Sequence, residues 1–172
     1  MSQAGQARRG TRRGRDARAA PLRECERAAA ELGVDALRDA TEDTLARLGN
    51  ATLARRARHV VRDNARVHKA VGQLRTGAWA DLGETMLASH ASLRDDFEVN
   101  CAELDAVVKT SVDAGALGAR MTGGGFGGSA IALVPVDRVD AVGAACGEAF
   151  AARGWREPQV FADQPAAGAG RH

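Results

Sequence analysis

Residues 123–128 have a composition that is typical of an anion-binding loop. Five of the six are glycine, and the sixth is Phe126. Because glycine lacks a Cβ, it adopts positive φ easily, and successive backbone N–H groups can then point into one concavity that binds phosphate or another anion. The same composition is also found in tight loops between two strands. The residues alone leave both interpretations open.

The spacing argues against two well-known phosphate loops. Gly123, Gly125 and Gly128 fit the pattern G-x-G-x-x-G, but a dinucleotide-binding fingerprint must open a helix. Here the loop runs into residues 129–134, a short apolar run that ends at Pro135 and has the pattern of a buried strand. A Walker A loop ends in Gly-Lys-Ser/Thr, and no lysine follows these glycines. The sequence therefore predicts a strand–loop–strand hairpin.

Four other residues have side chains that could take part in chemistry near this loop. Arg120 could steer a phosphate group or brace the loop. The adjacent carboxylates of Asp95 and Asp96 could hold a metal ion or a substrate hydroxyl, and they could equally make a helix end soluble. His90 lies in the apolar stripe of a predicted helix, so we expect a hydrogen-bonded core histidine rather than a general base.

Hydrophobic periodicity predicts the helices that position these residues. The longest, over 51–75, is expected to bury one continuous stripe and to end at Gly77, with His59 and the arginines at 55–58 on a solvated face or in capping roles. We predict caps at Thr41, Asn100 and Asp137. The stripe consists of Leu53, Ala57, Val60, Asn64, Val67, Val71 and Leu74. Further helices are predicted over 22–32, 78–94, 101–114 and 137–153, short turns over 35–39 and 42–48, and a final strand over 159–162.

Charge and composition divide the chain unevenly. Residues 1–18 contain six arginines and one aspartate, a net charge of +5, which leaves −3 on the other residues of a chain whose total is +2. This basic segment has almost no apolar or aromatic residues, so we expect a disordered leader over 1–21 rather than a nucleic-acid-binding arm. We predict one domain over 22–163 and a flexible tail over 164–172. No membrane span is recognisable, and three widely spaced cysteines indicate reduced thiols in a cytoplasmic protein.

Several separated blocks of the sequence resemble galactokinases, which belong to the GHMP superfamily of small-molecule kinases. The blocks are Arg-Glu-Cys-Glu at 23–26, Arg-Arg-Ala-Arg-His-Val-Val at 55–61, the segment 89–99, and 118–134, which is similar to the third signature motif. They occur in the family's order over about 22–163, but they match only the C-terminal half of a galactokinase. The resemblance implies an α+β fold of the GHMP-kinase C-terminal type, with a small, mainly antiparallel sheet and a layer of helices.

The resemblance also implies a function. Galactokinases use ATP and Mg²⁺ to phosphorylate galactose to galactose 1-phosphate, a reaction that depends on positioning and charge neutralisation. By resemblance, Gly123, Gly124, Gly125, Gly127 and Gly128 lie near the phosphate end of the cleft, Phe126 holds the loop in the core, and Asp95 and Asp96 lie toward the cleft.

The family's sugar site, second phosphate loop and catalytic base have no counterpart in these 172 residues, and Arg18 stands where the family has a tyrosine. We therefore expect a fragment that carries no catalytic residue and no metal ligand and is inactive alone. Galactose and ATP would then be its substrates only if an N-terminal galactokinase lobe joined it in trans. The alternatives are a non-catalytic sensor or binding module for sugar or nucleotide, and an Arg-tailed nucleic-acid binder.

Overall fold

A computed structural model describes residues 12–163, with side chains from Ala19 onward. Within this range the chain forms five α-helices and one β-hairpin. The helices are α1 (Arg12–Leu32), α2 (Ala51–Thr76), α3 (Trp79–Asp95), α4 (Ala102–Asp113) and α5 (Val139–Ala151), and the strands are β1 (Gly118–Thr122) and β2 (Ser129–Leu133). Short 3-10 helices span Leu37–Asp39, Glu42–Arg47 and Val136–Arg138.

The first core lies between α1 and α2. Small and medium apolar side chains from both helices pack with the two intervening 3-10 helices, so the helices approach closely without aromatic residues. Thr41 occupies the predicted N-cap of the second 3-10 helix, and Gly77 ends α2 with a left-handed φ of 69°. The buried members of this core are Ala28, Ala29, Leu32, Leu37, Ala40, Leu48, Leu53 and Ala57.

The second core lies between α3, α4 and the hairpin. The strands are antiparallel, with Gly118 opposite Leu133 and Thr122 opposite Ser129. Met121 on β1 is almost fully buried and packs with Leu93, Val99 and Leu104. The backbone of α3 meets β1 directly at Gly83 and Gly118, where a Cβ on either glycine would overlap the backbone of the other segment. These contacts place the hairpin on the helical layer.

The fold class is the expected α+β, with a helix-rich chain and a two-stranded antiparallel sheet. The sheet is smaller than predicted, because residues 159–162 form no strand, and Val160 and Phe161 are exposed. The β propensity of this segment is local, whereas a strand also needs a neighbour that supplies backbone hydrogen bonds.

Two predicted helix caps are wrong. Asn100 does not cap α4, which starts one residue later with Cys101 in the N-cap position. Its amide instead donates to the Asp105 carboxylate at 2.6 Å. Asp137 does not cap α5 either, because it lies inside the 3-10 helix that precedes α5. At Asn100 a side-chain partner thus competes with the local capping geometry.

The helix predicted over 22–32 begins at Arg12, so part of the segment expected to be disordered is helical. Arginine and alanine are strong helix formers, which favours this extension even though Pro21 lies inside the helix. The rest of the predicted leader, 1–11, and the predicted tail, 164–172, lie outside the described residues.

The apolar stripe predicted along α2 is buried only in part. Leu53 and Ala57 are buried in the first core, whereas Val67, Val71 and Leu74 are exposed. The first half of the helix packs against α1 and the 3-10 helices, and the stripe in its second half is not covered by the described residues.

Candidate functional site

The glycine loop, residues 123–128, connects β1 to β2 in a conformation that only glycine adopts at little cost. The φ angles of Gly123, Gly125, Gly127 and Gly128 are 88°, 75°, 100° and 128°. Gly124 is not among the glycines with positive φ. Gly123, Gly124 and Gly128 are exposed to solvent, so an anion could reach their backbone N–H groups. The structure thus has the backbone shape that the composition suggested.

The loop rests on Val99 through its backbone. The Phe126 N–H donates to the Val99 carbonyl oxygen at 2.7 Å. Gly125 is buried against the same residue, because a Cβ built on it would lie 2.5 Å from the Val99 oxygen and 2.6 Å from the Val99 Cβ. The prediction that Phe126 holds the loop in the core is wrong: its side chain is 38% exposed and its φ is 56°. A main-chain hydrogen bond and a close backbone contact position the loop instead.

Val99 ends a short segment, Asp96 to Val99, that we call the connector. It follows α3 and lies between α2 and the glycine loop. Arg56, which is 5% exposed, donates to a Glu98 carboxylate oxygen at 2.6 Å and to the Asp96 carbonyl. It also donates to Glu24 of α1 at 2.6 Å. Burial opposes the charge of Arg56, but the hydrogen bonds to Glu98 and Glu24 outweigh it and raise the pKa of the guanidinium.

His59 supports the same connector from α2. Its ring stacks on Phe97 with centroids 4.5 Å apart, and its Nδ1 lies 3.0 Å from the Ser92 hydroxyl. Burial lowers the pKa of His59. The expectation of a solvated or capping role for His59 and Arg56 is therefore wrong, since both are buried. Arg56 lies next to Ala57 and His59 lies next to Val60, and this proximity to the predicted stripe was the available signal.

The structure does not present the Asp95 and Asp96 carboxylates as a pair of metal ligands. Asp95 is bound by Arg94 at 2.7 Å on the surface. Asp96 accepts from Arg58 at 2.9 Å and from the Ser92 hydroxyl at 3.2 Å. Among residues 12–163 no group of three or more His, Cys, Asp or Glu side chains could hold a metal ion.

Arg120 lies on β1 and lines a small cavity of about 70 Å³ between α2, α3 and the strand. Its Nε donates to the Met121 carbonyl at 3.1 Å. Asp63, which also lines the cavity, accepts from Ser89 at 2.6 Å and from Arg66 at 3.1 Å. These contacts favour a bracing role for Arg120 over phosphate steering.

His90 is a hydrogen-bonded core histidine, as predicted. Its Nδ1 accepts from the Met121 N–H at 3.2 Å, which places the proton on Nε2, where it donates to Asp105 at 3.1 Å. Burial lowers the pKa of His90, and the hydrogen bond to Asp105 works against that effect. The residue joins α3, β1 and α4 as a neutral imidazole.

None of the three cysteines forms a disulfide; they are Cys25, Cys101 and Cys146. Burial raises the pKa of Cys25 and of Cys101. In the part of the chain that the structure describes, no helix combines the length and apolar character needed to cross a membrane.

Comparison with known proteins shows which proteins this chain resembles. Residues 70–152 match the family model described as GHMP kinases C terminal. The galactokinase of Streptomyces coelicolor is 53% identical over 152 residues, which are 86% of this chain and 39% of that protein. The galactokinase of Mycobacterium tuberculosis is 45% identical over 148 residues, 84% of this chain and 41% of that protein.

A solved structure shows the same relationship. The crystal structure of Lactococcus lactis galactokinase complexed with galactose superposes with a TM-score of 0.75 and 39% sequence identity, over 87% of this chain and 40% of that one. The chain thus spans about two fifths of the length of the relatives that it matches. The matched region lies in the C-terminal part of those galactokinases. The chain is therefore similar to the GHMP kinase C-terminal domain and to the C-terminal part of galactokinases.

Proposed function

We propose that this chain supplies the C-terminal part of a galactokinase and that its glycine loop helps to bind the phosphate groups of ATP. The observation that carries the proposal is the hairpin 118–134, in a domain related to galactokinases: four of its loop glycines have positive φ, and Gly123, Gly124 and Gly128 are exposed to solvent. Backbone N–H groups suit this task because they are fixed in place before the phosphate arrives.

The proposed reaction is the transfer of the γ-phosphoryl group of ATP to galactose. Such a transfer depends on positioning the acceptor and neutralising charge on the phosphates. The glycine loop would contribute to both, but it is one element of such a site, and the described residues hold no group of three or more His, Cys, Asp or Glu side chains that could bind a metal ion. We therefore propose that the 172-residue polypeptide has no useful activity alone and that a galactokinase N-terminal lobe completes the cleft in trans.

An exposed apolar face agrees with a partner lobe. Val67, Val71 and Leu74 follow each other along one side of α2 and are 56%, 41% and 51% exposed. Contiguous exposed apolar surface is typical of a protein interface.

The test is an assay of galactose-dependent ADP release with ATP and Mg²⁺. The purified chain is measured alone, together with the N-terminal half of the Streptomyces coelicolor galactokinase, and that half is measured by itself. We expect turnover only in the mixture, together with association of the two polypeptides. Turnover at ordinary kinase rates by the chain alone would contradict the proposal, as would an inactive mixture of two folded halves. Binding of galactose or ATP by the chain without any turnover in the mixture would support the sensor alternative instead.

A further inference from the structure

Arg56 is placed to act beyond its own helix. It projects from α2 into the interior, and its three hydrogen-bonding nitrogens contact three different groups: Glu24 of α1, the Asp96 carbonyl and the Glu98 carboxylate. A buried guanidinium requires such pairing, and its planar fork fixes the directions in which the partners lie. Two of the three partners belong to the connector.

The connector has a conformation that needs external support. Glu98 has a φ of 57°, in the left-handed region that non-glycine residues rarely occupy. Its carboxylate is bound by Arg56 at 2.6 Å and more loosely by Arg55 at 3.4 Å. Arg58 holds the Asp96 side chain, and His59 stacks on Phe97. Contacts from α2 therefore fix the first three residues of the connector, and burial in the second core fixes the fourth, Val99.

The glycine loop in turn rests on the last residue of the connector. The Val99 carbonyl accepts the Phe126 N–H, and the Val99 side chain lies directly against Gly125. No side chain separates the two segments at this point. A shift of Val99 must therefore move the loop or break the hydrogen bond.

We propose that Arg56 is a positioning residue for the glycine loop, acting through Glu98 and Val99. The inference concerns the shape of the loop and stands on these contacts, while its importance for ATP binding rests on the proposed function. Lysine at position 56 keeps the charge, but a single ammonium group cannot reproduce the fork that bridges α1 and the connector. We therefore expect Arg56→Lys to loosen the loop while α2 stays folded.

Hydrogen exchange at the Phe126 amide tests this in the 172-residue chain without any ligand. We expect Arg56→Lys to lower the protection of that amide by about tenfold or more, the effect of losing a charge-assisted hydrogen bond. Leu53→Ala is the matched control, because Leu53 lies in the first core on the same helix, and its truncation lowers overall stability without touching the connector. Equal loss of Phe126 protection in both variants at equal overall stability would overturn the proposal.

Glu98→Gly separates the ionic contact from the backbone turn and remains informative if Arg56→Lys fails to fold. Glycine removes the cost of the left-handed φ but also removes the carboxylate that Arg56 holds. If Arg56 positions the loop, Phe126 protection falls in Glu98→Gly despite the easier turn. If protection stays at the level of the parent chain or rises, the ion pair is irrelevant and the proposal fails. Phosphate binding, measured separately on the parent chain, decides the proposed function independently of both results.

Discussion

Replacing Gly125 with alanine should destabilise the chain far more than the same change two residues later. Both Gly125 and Gly127 have left-handed φ, at 75° and 100°. Alanine in this region costs about 1–2 kcal/mol in either place. The two positions differ in their surroundings, since a Cβ at Gly127 meets no atom within 4 Å, whereas at Gly125 it meets the Val99 oxygen at 2.5 Å and the Val99 Cβ at 2.6 Å.

The clash at Gly125 cannot be relieved by turning a flexible side chain. Its partners are a backbone oxygen and a Cβ, so the loop and the connector must move apart, at a cost of about 1–3 kcal/mol for an overpacked site. We therefore expect Gly125→Ala to lower the free energy of unfolding by about 2–5 kcal/mol, and Gly127→Ala by about 1–2 kcal/mol.

Thermal unfolding followed by circular dichroism measures this difference, at about 2–4 °C per kcal/mol for a domain of this size. Urea titration provides the free energies and shows whether the slope, and so the cooperativity, is unchanged. Equal melting temperatures for Gly125→Ala and Gly127→Ala would refute the close contact between loop and connector. Parent-like stability in both variants would refute the left-handed loop as well.

Two further predictions concern the support of the hairpin. Gly83→Ala should lower the free energy of unfolding by about 3 kcal/mol or more, because the new Cβ would overlap the Leu117 backbone. Gly72→Ala, on α2, should raise it by about 0.5–1 kcal/mol, because a Cβ there meets no atom and alanine is the better helix former. Urea unfolding of both variants measures these two changes. Because burial lowers the pKa of His59 and of His90, the unfolded chain binds more protons as pH falls below the ordinary histidine value of 6.5, so stability should decrease from that pH downward. The free energy of unfolding should be measured between pH 7.5 and about pH 5 in the parent chain and in a double variant, His59→Gln with His90→Gln. We expect the double variant to lose this dependence on pH. An unchanged slope of stability against pH would contradict the assignment of the effect to these two histidines.

The features that sequence predicted well depend on local chemistry. The hairpin follows from a dense run of glycines before a short apolar strand, and the end of α2 follows from a glycine in the left-handed conformation at Gly77. On α5, Val142, Cys146 and Phe150 recur at four-residue steps and are buried, as the helical period requires. In each case the cause lies within a few residues of the effect.

The failures have distant causes. Arg56 is a charged residue whose burial depends on Glu24 and Glu98, 32 and 42 positions away in the chain. Residues 159–162 have strand propensity without a pairing strand among the described residues. No single-sequence pattern contains these partners, because the fold brings them together.

The backbone strain near the candidate site shows how far this dependence goes. Among the described residues, the non-glycine residues with positive φ are Glu98 and Phe126. Both lie at one hydrogen bond, because Phe126 donates its N–H to the Val99 carbonyl and Glu98 directly precedes Val99. Each such angle costs about 1–3 kcal/mol and persists only where surrounding contacts over-determine it. For Glu98 those contacts are the ion pairs from α2, and next to Phe126 they are the buried Gly125 and Val99. Strain on both sides of a single hydrogen bond means that connector and loop hold each other in shape, so the loop conformation is a property of the tertiary fold and not of its glycines alone.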